Sequence, residues 1–282
     1  MKKLSAPAFS DIETYLTCTS SVANEVFRNR LESCSNIIQV KTTEYVQKAV
    51  TAELYSISYF STVRGVDPVV VGNLKKSELT KMYSTYMVNK QYPARYVYDA
   101  ILVAANDKCP FCGGIGQPKT LDHYLPKANY PFFSVLPANL VPSCRDCNAG
   151  KSNNLALQPG KQVLHPYFDN DCYFNERWIS AKVVMTNPIA LEFYVNPPIN
   201  WNQLRIERVT SHFTDFDLAK RYSLQAAEEL STLIYQRNSF MENFTSSEFR
   251  DYLMSLDGDI LFINHWKRVM YAALAANVEF CG

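Results

Sequence analysis

The chain has 282 residues, 47% hydrophobic and 20% charged, with a net charge of +1. Such a chain builds one large or two modest globular domains, and its balanced charge excludes a broadly basic protein that coats nucleic acid. It holds no apolar run of the roughly 20 residues that span a bilayer, and its start, Met1-Lys2-Lys3-Leu4-Ser5-Ala6-Pro7, lacks the apolar core of a secretion signal. The expectation is a cytoplasmic protein. Its aromatic content, 13%, points to an aromatic-rich core with some partner surface.

Residues 1–98 read as a mainly helical region. Glu25 to Ile38 is free of Gly and Pro, and Thr42 to Ser61 continues with Val46, Val50, Leu54, Ile57 and Phe60 at helix-like intervals. Val66-Asp67-Pro68 and Gly72-Asn73 punctuate the chain. A helix is predicted over Ser77 to Lys90, with Leu79, Met82, Tyr83 and Tyr86 on one side. Another is predicted over Ala94 to Asp107. Residues 99–170 form the motif region, with short strands near Lys119 to His123 and Asn139 to Pro142 and a helix over Cys144 to Asn153. Residues 171–282 open with β-like runs, Trp178 to Met185 and Ala190 to Val195, and Leu204 to Val209 adds a candidate strand. Residues 215–245 read as one long helix or two. Glu248 to Leu256 and Leu261 to Asn277 follow as helices, separated by Asp257-Gly258-Asp259. The fold class is α+β: mainly helical around a central strand–strand–helix motif, with a small β element in the C-terminal part.

Two CxxC pairs, Cys109/Cys112 and Cys144/Cys147, stand 31 residues apart. Each pair presents two thiolates from one tight turn, and together they complete zinc's four tetrahedral ligands. A closed all-cysteine site has no open coordination position, so this Zn2+ is expected to be structural. Cys18, Cys34, Cys172 and Cys281 are scattered and read as reduced thiols.

Between the pairs lies Leu121-Asp122-His123-Tyr124-Leu125-Pro126, and Asn139 and Asn148 follow. Phosphodiester cleavage needs a base to activate water, a cation to stabilise charge, and groups that hold both in place. His123 suits the base, because its ordinary pKa lies near neutrality. Asp122 suits a hard ion such as Mg2+ or Mn2+, and Asn148 offers a second oxygen or simply caps its helix. Asn139 could bond the backbone or ring of the His123 segment. Lys151 either contacts phosphate or is solvated. Asp122 and His123 can share a site only if their strand ends or bends there, since strand neighbours face opposite ways; Leu125-Pro126 supplies such a break. Gly150-Lys151-Ser152 imitates the tail of a phosphate-binding P-loop, but Arg145 stands where its earlier glycine is required.

This constellation resembles the HNH endonucleases of the ββα-metal type, in the version with a four-cysteine zinc. The resemblance implies that His123 is the general base and Asp122 the acidic metal ligand. It makes Asn139 the middle asparagine and Asn148 the last, metal-binding position. It also implies cleavage that leaves a 5′ phosphate. More widely, Asp122-His123-Tyr124-Leu125-Pro126-Lys127, Leu164-His165-Pro166-Tyr167-Phe168-Asp169 and His212-Phe213 resemble the HNH nuclease subunit of Septu and retron-associated anti-phage systems. That resemblance implies a separate ATPase partner. The alternatives are a non-catalytic zinc-stabilised adaptor and a stand-alone restriction-like DNA endonuclease, and a homo-oligomer is compatible with each. His165 either reaches the site or forms a buried corner; His212 and His265 read as structural.

Overall fold

Ser10 opens the first helix by accepting the Glu13 N–H on its hydroxyl. Asn24 does the same for the Phe27 N–H of the second. In the computed structural model, which describes residues 1–151, 155–258 and 261–282, these helices are α1 (Asp11–Ser20) and α2 (Glu25–Ser33). After Cys34 comes α3 (Ser35–Val50), so the long helical stretch expected beyond Thr42 ends at Val50 rather than Ser61. Ala52, at φ 59°, turns the chain there, and only a short 3-10 turn at Leu54–Ser56 follows. Gly72, at φ 52°, closes a hairpin of β1 (Val69–Val71) and β2 (Leu74–Lys75). The helix expected over Ser77 to Lys90 is α4 (Lys76–Lys81) running into a π-helical stretch, Met82–Met87. Leu79, Met82, Tyr83 and Tyr86 are all buried, as their spacing predicted. Next comes α5 (Arg95–Val103).

The motif region holds β3 (Thr120–His123) and β4 (Leu140–Ser143), paired antiparallel with Asp122 opposite Val141 and His123 opposite Leu140. Directly after them runs α6 (Arg145–Lys151). The expected helix end at Asn153 lies outside the described residues. Further on, α7 (Cys172–Asn175) precedes a two-stranded sheet of β5 (Ile179–Val184) and β6 (Ala190–Val195). Four helices and a last short turn complete the chain: α8 (Gln203–Asp215), α9 (Leu218–Asn238), α10 (Ser246–Ser255), α11 (Trp266–Ala276) and α12 (Val278–Cys281). The candidate strand at Leu204 to Val209 is therefore a correction: it lies inside α8. Asn202 caps that helix by accepting the Arg205 N–H, and the helix buries Val209 and Phe213 together with Arg208, Ser211 and His212. The separator at Asp257-Gly258-Asp259 is described only to Gly258.

The protein is mixed α/β, about half helical, with small antiparallel sheets. Its buried residues form two apolar cores. One gathers the N-terminal helices with Leu121, Val135 and Leu140. The other gathers the C-terminal half with Tyr124, Val141 and the four clamp cysteines, and it reaches back to Met1, Tyr45 and Leu54. Adjacent β4 residues thus serve different cores, Leu140 one and Val141 the other, as strand alternation requires. The β3–β4 hairpin is the wall between the two cores, with α5 packed against it. Among the described residues no helix is long and apolar enough to cross a membrane.

Candidate functional site

Cys109, Cys112, Cys144 and Cys147 converge, with their sulfurs all within 4.8 Å of one another. A tetrahedral zinc with Zn–S bonds of about 2.3 Å places its sulfurs about 3.8 Å apart, and the Cys112 and Cys144 sulfurs stand 3.9 Å apart. The group could hold a zinc ion. Local chain geometry explains the convergence. Gly113 and Gly114 sit at φ 64° and 91°, conformations that side chains rarely adopt. They let the turn close with the Gly114 N–H on the Cys109 carbonyl at 3.0 Å. Gly116 donates its N–H to Cys112 Sγ at 3.4 Å and packs so close to Cys144 that a Cβ there would lie 2.6 Å from its Sγ. From α9, Arg221 points two nitrogens at the second pair, 3.1 Å from Cys147 Sγ and 3.6 Å from Cys144 Sγ. Its charge offsets the excess negative charge of a four-thiolate zinc site.

The four cysteines bring the start of α6 to the Cys109–Cys112 turn, and a cleft of about 460 Å3 opens beside β3. Asp122, His123, Lys127, Tyr83, Tyr98 and Asn148 are among its lining residues. Asp122 and His123 do share a site. The strand ends at His123, and the next residue, Tyr124, donates its N–H to the Asn139 carbonyl at 2.7 Å. Asn139 is fully buried and does not line the cleft. Its side chain accepts the Leu125 N–H at 2.7 Å and donates to the Leu125 and Phe133 carbonyls, both at 3.1 Å. It braces the backbone that turns away after His123 rather than the imidazole itself.

His123 is buried, and its Nε2 lies 2.8 Å from the Ser134 carbonyl. A carbonyl only accepts, so Nε2 carries the hydrogen and Nδ1 the lone pair in the neutral ring. Tyr83 packs edge-on against the imidazole, 4.4 Å between centroids, and sends its hydroxyl to the Leu121 carbonyl at 2.8 Å. Burial, with Lys127 and Lys151 adding to it, pushes the His123 pKa down to about 3. Lys127 sits over the Tyr83 ring, 4.9 Å from its centroid, and burial lowers its own pKa. Lys151 is not solvated: its ammonium donates to Asp122 Oδ2 at 2.9 Å and to the His123 carbonyl at 2.6 Å.

Outside the cleft, His165 is a buried corner. Its Nδ1 accepts the Tyr167 N–H at 3.2 Å, so Nε2 carries the hydrogen toward the Tyr45 hydroxyl at 3.3 Å. The neighbouring Asp169 forms a buried fork with Arg208 at 2.6 and 2.7 Å. His212 donates to the Phe111 carbonyl and His265 caps α11. Sequence reasoning had assigned no role to Lys127, Tyr83 or Arg221. Lys127, which directly follows the Asp-His-Tyr-Leu-Pro run, is the one that local sequence could have flagged.

The protein is mixed α/β, with a buried four-cysteine cluster that could hold a zinc ion and a cleft lined by Asp122, His123 and Asn148. The chain is 38% identical over 295 aligned residues to protein ea31 of Escherichia phage lambda, covering 99% of each, and it belongs to that protein's family. An 85-residue stretch is 33% identical to Septu protein PtuB of Bacillus thuringiensis, covering 29% of this chain and 32% of that protein. No family model matches the chain. No solved structure matches it.

Proposed function

We propose that the cleft is the centre of a metal-dependent endonuclease of the HNH type that hydrolyses nucleic-acid phosphodiester bonds. The observation that carries this reading is the joint placement of Asp122, His123 and Asn148 on one cleft beside the cysteine clamp. Asp122 and Asn148 offer hard oxygen donors of the kind Mg2+ and Mn2+ take. Bound there, such an ion supplies positive charge for the phosphate and the departing oxygen. His123 is the base: with Nε2–H tied to Ser134, Nδ1 takes the proton of the attacking water. The depressed pKa keeps the ring neutral in the free protein. An arriving phosphate offsets the lysine charges that help to depress it and raises the ring's basicity. Lys127 is the cation that meets the phosphate at the cleft. Such contacts are to phosphate rather than to bases, so the substrate class is a DNA or RNA backbone.

The relatives support a biological setting for this reading. The partial likeness to Septu protein PtuB supports a role in anti-phage defence; in this reading a separate ATPase is the partner that senses infection. The phage source of the full-length relative fits a protein carried to exclude competing genomes.

Purified zinc-loaded protein, given plasmid DNA and total RNA with Mg2+ or Mn2+, is expected to cut one of them. His123→Ala should slow that cutting by about 100-fold or more without changing the fold. Equal cutting by the variant removes His123 from the mechanism. No cutting by folded protein, alone or with the proposed ATPase partner, removes the nuclease. A second reading, a zinc-stabilised adaptor without catalysis, draws on the Lys151–Asp122 pair, which already neutralises the acid. It expects binding functions to survive His123→Ala and to be lost in Cys109→Ser.

A further inference from the structure

Lys151 is shut away from solvent, with its side chain 7% exposed, and it spends its charge on Asp122 Oδ2 at 2.9 Å. A carboxylate oxygen held by an ammonium at that distance is not free for the 2.0–2.1 Å bond that Mg2+ demands. The two cations compete for one acid. Lys151 borders a second cavity of about 200 Å3, which it lines with Tyr124, Tyr130, Lys161, Gln162 and Asp215. The Tyr124 ring, 5.3 Å from the ammonium, borders that cavity and offers a cation–π surface along the way. The Asp215 backbone runs against α6, its carbonyl 3.3 Å from where a Cβ on Gly150 would stand. Lysine's four-carbon stem is flexible enough to point its ammonium either way.

We infer that Lys151 is the resident counter-ion of Asp122 and the residue that sets the metal affinity of the cleft. Its ammonium neutralises Asp122 in the metal-free protein and withdraws into the adjoining cavity, toward Asp215, when Mg2+ or Mn2+ binds. The inference rests on the reading above in taking Asp122 and Asn148 as the metal's ligands. Each binding event must first break a buried ion pair, so the free protein binds metal weakly.

The test is Mn2+ titration of zinc-loaded full-length protein followed by electron paramagnetic resonance, with no substrate present. Lys151→Met should bind Mn2+ at least tenfold tighter than the natural protein, Lys151→Arg no tighter, and Asp122→Asn not at this site at all. If Lys151→Met binds Mn2+ equally or more weakly while Asp122→Asn loses it, the counter-ion role is overturned and the metal site stands. If Asp122→Asn binds as the natural protein does, the site reading itself fails. Absence of Mn2+ binding in both the natural protein and Lys151→Met overturns the inference as well. A measurement on the natural chain covers the case in which Lys151→Met does not fold. In 13C-lysine-labelled protein, the Lys151 Cε resonance should move with Mg2+ at the same midpoint as the Asn148 side-chain amide. An Asn148 shift with Lys151 unmoved overturns the proposal.

Discussion

Asn139 touches no solvent, yet every polar atom of its side chain is used on backbone that leads away from His123. Asn139→Ala removes the partner of the buried Leu125 N–H and of the Leu125 carbonyl, while the Phe133 carbonyl keeps the Leu136 N–H; the loss costs about 1–3 kcal/mol. Urea denaturation should show a lower midpoint with an unchanged slope, and any nuclease activity should fall with it. At this scale the sequence was informative where chemistry is local. Asn148 directly follows Cys147, and Asp122 and His123 lie between the two cysteine pairs, ten and eleven residues after Cys112. Asn139 could be picked out in the same way, although it acts on the backbone and not on the imidazole. Lys151 could not be judged from sequence, because its partner is 29 residues away on another element. Tyr83 comes from a π-helical stretch 38 residues before the carbonyl it bonds, and no periodicity marks that contact.

The elements of the motif were readable because pleated alternation, proline and paired cysteines bound them closely. The β3–β4 pairing falls within a residue or two of where the apolar runs placed it. Leu204 to Val209 failed for a physical reason. A short window rich in Leu, Ile and Val fits a half-buried strand and an amphipathic helix alike, and the Asn202 cap together with the full length of α8 decides between them. Arg221 was out of reach, since α9 begins 71 residues after Cys147. Its removal is informative. Arg221→Met should release zinc to a chelator about tenfold faster or more, measured with a colorimetric zinc indicator, while Cys109→Ser should yield protein without bound zinc that fails to fold. Unchanged zinc release in Arg221→Met would show that the guanidinium merely packs there.

All four histidines of the chain are buried, and burial pulls every one below its ordinary range, His123, His212 and His265 to about 3 and His165 well down. The folded state therefore refuses protons that the unfolded chain accepts near pH 6.5. These histidines contribute stability that is fully present above about pH 6.5 and is lost as the pH falls toward about 3. The melting temperature should decline across that window, and replacing His165 with Gln should flatten the decline; an unaltered pH profile in that variant would contradict the assignment. The whole-molecule arrangement was the least readable level. The predicted regions 1–98, 99–170 and 171–282 name stretches of chain, whereas the two cores cut across them: Tyr45 and Leu54 pack with the C-terminal half, and Leu121 and Leu140 with the N-terminal helices.

The clamp has a mechanical consequence. It fastens the two ends of the segment from Cys112 to Cys144 to one point, so that stretch is a closed ring of polypeptide rather than an open thread. A protease that nicks the ring once does not release it. The two pieces stay tethered through the shared metal and through the cores on either side. With zinc bound, a chelator would remove one of these tethers, and the nicked protein should melt at a lower temperature after chelation.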